Sequence, residues 1–263
     1  AAYKCSWFSA VPTQFAYILN HPESAKDLSY LRFARSASAP LSPEIHRRFE
    51  ERFNIPIIET MGLTETGSQI TTNPLPPAIR KIGSPGTAFG NEIMIGDDTL
   101  AAVPAGTVGE ILVRGANVMQ GYLNQPEETA KTISSDGWLR TGDLGYLDQD
   151  GYVFVSGRIK ELIIKGGENI APREIDEALL EHEAVLEAAA FAVPCENYGE
   201  RVEACIRLKE QMQASASDLL AHCQTRLGKF KSPDTIHILE DLPKGPSGKV
   251  QRLKLFGLVY PAE

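Results

Sequence analysis

The stretch GRIKELIIKGGENIAPREID, residues 157–176, separates two styles of sequence and therefore decides how the chain is divided. Two adjacent glycines, Gly166 and Gly167, interrupt what otherwise reads as a strand followed by a helix. Pro172 falls in the first turn of that helix, APREIDEALLEHE, where a missing N–H costs nothing and φ is already set for a helix. The stretch can be read as a phosphate cradle, a hinge or a turn. A Walker-type cradle is excluded: GxxxxGK[ST] is absent from the whole chain, and in Lys165-Gly166-Gly167 the lysine stands on the wrong side of the glycines.

Upstream, residues 1–81 alternate helical and strand signals. VPTQFAYILNH is spaced for a helix, LRFARS for a strand, SPEIHRRFEERFN for a capped helix and IPIIE for a strand. Such alternation predicts an α/β sheet, mainly parallel, with polar loops at Ser36–Ser42 and Thr60–Gln69 at the strand ends where these sheets bind ligands. Residues 82–158 change to short β segments, EIMIGD, GTVGEILVRG and GYVFVSG, divided by turn residues, and predict a β-rich subdomain built as a small barrel or sandwich. Residues 159–263 read as a compact α+β domain: the helix at Pro172, strands VLEAAAFAV and ERVEACIRL, a helix at ASDLLAHCQTRL and the strand TIHIL.

Composition narrows the function. A chain of 263 residues that is 43% hydrophobic and 23% charged is ordinary globular protein. The 34 acidic residues outnumber the 26 basic ones, which argues against a nucleic-acid surface and requires any polyanion to be bound locally. The four cysteines lack CxxC spacing and the five histidines form no i, i+4 pair, so neither a disulfide framework nor a structural metal is expected. No apolar run approaches the ~20 residues of a membrane span, and the start AAYKCSWFSAVP lacks a signal-peptide layout, so the expected location is cytoplasmic. The chain begins without Met and reads as a piece of a longer polypeptide; the oligomeric state stays unassigned.

Three short constellations carry chemistry. Thr64-Glu65, following a buried strand, places a hydroxyl beside a carboxylate, a pair of hard oxygens suited to Mg²⁺ on phosphates, though by spacing alone it reads as a capped turn. Asp143, in TGDLG, reads as a glycine-flanked turn whose carboxylate could accept two hydrogen bonds from a ribose diol. In PKGPSGK, Gly245 and Gly248 present Lys249 on a flexible loop, suited to neutralising transient charge on a phosphate or carboxylate.

Each signal is weak singly, but their order matches one family. The strings SASAPLS, MGLTET, GEILVRGANVMQGYLNQPEET, DGWLRTGDLGYLDQDGYVFVSGRIKELIIKGGENIAPREID, FAVPCENYGERVEA, LGKFKSP and LPKGPSGKVQR span nearly all of the chain. Together they resemble the adenylate-forming superfamily of acyl-CoA synthetases, most closely its oxalate and fatty-acid CoA ligase branch. The resemblance implies a partial adenylate-forming fold, α/β plus a β-rich subdomain followed by a mobile α+β C-terminal domain. It also implies a reaction in which a small-molecule carboxylic acid attacks ATP to give acyl-AMP, and coenzyme A then displaces AMP to form a thioester.

By the same resemblance, Glu65 holds Mg²⁺ with Thr64 beside the phosphates, and Asp143 and Arg158 bind the ribose. Ser38, Ala39, Met61 and Gly62 line the adenine and acyl pocket, and Lys249 bridges the attacking carboxylate and the α-phosphate. Lys160 falls on the hinge, and Gly166 and Gly167 replace the Lys249 loop in the second half-reaction and line the pantetheine tunnel, where glycine permits close backbone approach. Met61 stands where the family usually stacks an aromatic ring on adenine, and Ser68 where fungal oxalate ligases carry histidine. The family's Ser/Thr/Gly-rich phosphate loop has no counterpart here, so the chain alone is expected to adenylate weakly or not at all. Loading of a carrier-protein thiol and a non-catalytic AMP-binding or interaction module are the alternative readings.

Overall fold

A computed structural model describes residues 5–21, 28–246 and 248–261. The chain divides into two compact units, one of residues 1–15 and 25–156 and the other of residues 16–24 and 157–263.

The first unit opens with a five-stranded sheet in the order β1-β2-β3-β4-β5: Trp7–Ala10, Phe33–Ser36, Ile57–Leu63, Ser68–Thr72 and Thr87–Ala88. The first three strands are parallel, joined through helices α1 (Pro12–Asn20) and α2 (Pro43–Phe53), and the last two are antiparallel additions. Helix α2 starts on Pro43 and stops at Asn54, whose left-handed φ of 52° lets its N–H reach the Glu50 carbonyl. The expected side-chain cap is not made: Ser42 adopts a non-capping geometry and Pro43 supplies the start.

The polar loop expected at 60–69 is mostly ordered strand. β3 runs on to Leu63, a single 3-10 turn covers Thr64–Thr66, and β4 returns at once. Gly62 makes this possible, because a Cβ there would stand 2.3 Å from the Ser68 carbonyl oxygen.

A second sheet of the same unit has the order β6-β7-β8-β9: Glu92–Gly96, Gly109–Arg114, Leu139–Leu147 and Val153–Arg158. It is an open four-stranded sheet rather than the expected barrel or sandwich. Ile95, Ile111 and Val153 form its buried cluster, with Met61 of β3 packed against them. Asp143, expected in a turn, lies within the nine-residue β8. The glycine pattern misled because β8 carries an irregularity where its pairing with β7 shifts register, and Gly142 takes φ +71° there. A short helix, α3 (Pro126–Thr132), precedes β8.

The other unit holds a sheet in the order β11-β10-β13-β12, with β14 added parallel to β13. Its strands are Ile163–Lys165, Glu168–Ile170, Val185–Cys195, Gly199–Leu208 and Thr235–Ile238 for β10 to β14 in chain order. Helices α4 (Pro172–Leu180) and α5 (Ala216–Lys231) share one core with the sheet through Ile175, Leu179, Leu219, Val202, Ala204 and Ile206. Phe191, Val193 and Cys205 instead pack with Leu242 and with Leu255 of α6 (Leu255–Val259). Ser215 and Asp218 form a reciprocal cap at the start of α5. Among the described residues no helix is long and apolar enough to cross a membrane.

Candidate active site

Within the first unit, the residues singled out in the sequence fall on β3, on the turn after it, on the loop after β2 and on β8. Thr64 is exposed and Glu65 half-buried on the 3-10 turn. The turn is held mainly by Thr66, whose buried hydroxyl lies 3.0 Å from the carbonyls of both Leu63 and Ser68 and 3.3 Å from the Leu63 N–H. Glu65 is fixed twice. Its carbonyl accepts the Met119 N–H at 2.8 Å, and its Oε1 accepts the Tyr122 hydroxyl at 2.9 Å. That contact, strengthened by burial and the Glu65 charge, pushes the Tyr122 phenol above its usual range. No local signal in the sequence pairs Tyr122 with a glutamate 57 residues away.

Ser38 follows β2 with φ 80°, a left-handed conformation unusual for a non-glycine residue, and Ala39 is half-buried beside it. Among the described residues, the buried hydroxyls of Ser36 and Ser42, which flank this loop, have no hydrogen-bond partner. Met61 turns its side chain to the cluster at Ile95, Ile111 and Val153, and Gly62 lies exposed next to it.

Asp143 is 7% exposed on β8. Its N–H donates to Thr141 Oγ1 at 3.0 Å, and that hydroxyl donates to the Ile111 carbonyl at 2.7 Å. Buried Glu110 of β7 spans the irregularity, accepting the Gly142 N–H at 2.9 Å and Arg140 Nε at 2.8 Å. Glu110, which no local signal in the sequence marks, thereby satisfies an N–H that the register shift takes out of the ladder.

In the second unit, Arg158 and Lys160 are exposed, Lys160 in a 3-10 turn of residues Ile159–Glu161. Gly166 and Gly167 form the two-residue turn between β10 and β11, with φ of +60° and +85°. Both central residues of this hairpin need positive φ, which explains the adjacent glycines. The neighbouring Lys165 is 5% exposed; its Nζ lies 3.2 Å from Asp234 and 5.5 Å from the Phe230 ring centroid. Lys249 is exposed on a small hairpin. There the Gly245 N–H donates to the Lys249 carbonyl at 2.8 Å, and the Gln251 N–H to the Pro243 carbonyl at 2.7 Å.

Among the described residues no group of three or more His, Cys, Asp or Glu side chains could hold a metal. A lone half-buried carboxylate such as Glu65 suits a Mg²⁺ ion carried by a polyphosphate, which keeps waters and takes only one or two protein ligands.

Two family profiles match the chain: AMP-binding enzyme over residues 1–123 and AMP-binding enzyme C-terminal domain over residues 174–249. The chain belongs to this family of adenylate-forming enzymes. It is 53% identical to a sulfoacetate–CoA ligase of Cupriavidus necator over 97% of its own length and 50% of that protein. It is 40% identical to an oxalate–CoA ligase of Saccharomyces cerevisiae, covering 95% of this chain and 46% of that one. Among solved structures, ATP-bound MatB from Rhodopseudomonas palustris superposes with a TM-score of 0.89 at 33% identity, over 97% of this chain and 52% of that one. An anthranilate CoA ligase in complex with anthranoyl-AMP superposes with a TM-score of 0.90 at 31% identity, over 97% and 50%. The chain thus spans about half the length of the curated relatives it matches.

Proposed function

We propose that the protein to which this chain belongs is an acid–thiol ligase acting on a small, doubly charged carboxylic acid. The observation that carries this reading is the 53% identity to a sulfoacetate–CoA ligase along 97% of the chain, with oxalate–CoA ligases next to it at 40% and 42%. In the first step the acid's carboxylate oxygen attacks the α-phosphorus of ATP, and pyrophosphate leaves. In the second, the sulfur of CoA attacks the acyl carbon and AMP leaves. The first step is chiefly a problem of holding like charges together in line.

Each side chain has a part in that task. Glu65 is the Mg²⁺ carboxylate, kept in one rotamer by Tyr122, and the exposed Thr64 hydroxyl stands beside the phosphates. Mg²⁺, when bound, neutralises phosphate charge. Asp143 takes the ribose diol with Arg158 as a second contact, and Ser38, Ala39, Met61 and Gly62 line the adenine and acyl pocket. Lys249 neutralises the charge shared by the attacking carboxylate and the α-phosphate. Lys160 is the pivot between half-reactions, after which the exposed Gly166-Gly167 turn lies against pantetheine. A dianionic acid needs cations or buried donors that an aliphatic slot lacks.

The test is a panel of acids given to the intact enzyme with ATP and CoA, with AMP and thioester both measured. Sulfoacetate and oxalate should outperform acetate and hexanoate in kcat/KM by tenfold or more, since an acid without the second charge leaves the cations or donors that would pair it unsatisfied. Preference for the aliphatic acids would refute the dianion assignment. Acylation of a phosphopantetheine carrier with CoA inert would refute the CoA assignment.

A further inference from the structure

The stretch that divides the sequence also supplies two carboxylates to one arginine beside the Lys249 hairpin. Arg252 is largely buried, and its guanidinium reaches three elements. Nε donates to Glu161 at 3.0 Å, Nη2 to Asp176 Oδ2 at 2.7 Å, and Nη1 to the Ala190 carbonyl. Asp176, on α4, is itself fixed by accepting the Ala190 N–H at 2.6 Å. Asp176 and β12 therefore form a fixed frame, and Glu161 is the arm that reaches out of it. Glu161 belongs to the same three-residue turn as Lys160.

Arg252 directly follows Gln251, whose N–H closes the base of the Lys249 hairpin on Pro243. At the hairpin's other end, Lys244 donates to the buried Glu187 of β12 at 3.0 Å. A planar guanidinium with all its edges engaged has one orientation, which a lysine at that place could not reproduce.

We propose that the Glu161–Arg252 ion pair is a positioning device for the adenylation half-reaction, tying the hairpin of Lys249 to the turn of Lys160 so that the two move as one body. The inference rests on the roles proposed for Lys249 and Lys160. Neither Glu161 nor Arg252 touches the reacting atoms; they act through where Lys249 is held. Losing a positioning contact lowers the rate of the step that uses the positioned group and leaves the other step alone.

The test uses the intact enzyme and measures each half-reaction separately: pyrophosphate exchange for adenylation, and thioester formation from supplied acyl-AMP. Glu161→Gln keeps the side chain's shape and the Arg252–Asp176 contact. It should lower kcat of exchange about tenfold with KM for ATP little changed, and leave thioester formation within about twofold. Arg252→Lys should do the same, and the double variant should be no worse than Arg252→Lys alone, because the two substitutions remove one interaction. Equal loss in both half-reactions, no loss in exchange, or additive losses would overturn the proposal. Lys249→Ala is run alongside. If it abolishes exchange while Glu161→Gln leaves exchange intact, the ion pair has no positioning role and the Lys249 assignment stands. If Lys249→Ala leaves exchange intact, the Lys249 assignment fails and the positioning proposal fails with it.

Discussion

The Glu65 turn and the Lys249 hairpin each present one charged side chain, and they are held by different physics. The turn is built into a sheet: Gly62 lets β4 lie against β3, Thr66 closes the backbone, and one neutral phenol orients the carboxylate. Among the described residues the hairpin pairs with no strand of its unit's sheet. Its frame is a pair of ionic anchors, Lys244 on Glu187 and Arg252 on Asp176 and Glu161. On the proposed roles, a carboxylate that must keep one geometry is placed on rigid backbone, and a lysine serving one step of two on a small element fixed through its ends. Buried pairs suit the second task because breaking one partner leaves a charge stranded, so the geometry is all-or-none.

The largest effect should come from the sheet side. Gly62→Val puts a branched side chain where even a Cβ would meet the Ser68 carbonyl at 2.3 Å. It should cost at least about 3 kcal/mol in denaturant unfolding, at the top of the range for overpacking and backbone strain. A loss below about 1 kcal/mol would mean that the two strands separate easily and that the turn is not rigid.

Next comes the ionic support beneath β3. Buried His46 of α2 has Nδ1 2.9 Å from Glu59 of β3 and Nε2 3.0 Å from Glu50, which also pairs with Arg80. Burial alone would lower the imidazole's pKa, but the two carboxylates outweigh it and raise it above 6.5. Glu50 is likewise opposed by burial, yet its bonds to His46, Arg80 and the Ile57 N–H bring it down to about 2. The stabilisation from His46 is therefore full below pH 6.5 and lost as pH rises through the raised value; that from Glu50 is full above pH 4.5 and lost as pH falls toward 2. Substituting His46→Gln should cost about 3 kcal/mol near pH 6 and flatten the alkaline limb of a thermal-stability profile. An unchanged profile would mean that the His46 pairs do not support β3.

A smaller effect is expected at Tyr122. Removing its hydroxyl with Tyr122→Phe takes away one hydrogen bond to a charged group, about 1.5–3 kcal/mol at most. It should raise the Mg²⁺ and ATP requirement severalfold without changing the melting temperature by more than a few degrees. No measurable effect is expected on the thiols of Cys205 and Cys223, which burial pushes up to about 11. In the folded protein at pH 8 they should resist alkylation that modifies the exposed Cys5, and mass spectrometry of the labelled chain would show it.

Local signals made much of this legible. Pro172 marked the start of α4, the 3.6 and 2 periodicities located the main helices and strands, and the motif strings led to the adenylate-forming family. What stayed hidden depends on contacts distant in sequence. Asp143 reads as a turn because glycines surround it, yet Glu110, on another strand, turns that glycine pattern into a register shift inside β8. Glu65 gives no hint of Tyr122, and Glu161, within residues 157–176, gives none of Arg252, 91 residues on. Propensity records what a segment does alone, and each of these pairings joins segments that only the fold brings together.

Lys249 is proposed to serve adenylation and not thioester formation. Lys249→Ala in the intact enzyme separates the two roles, with pyrophosphate exchange and thioester formation from supplied acyl-AMP measured on the same preparation. Exchange should fall about 10²–10³-fold, the scale of removing one charge-stabilising donor, with thioester formation within about twofold of the parent. Equal loss in both half-reactions would contradict it.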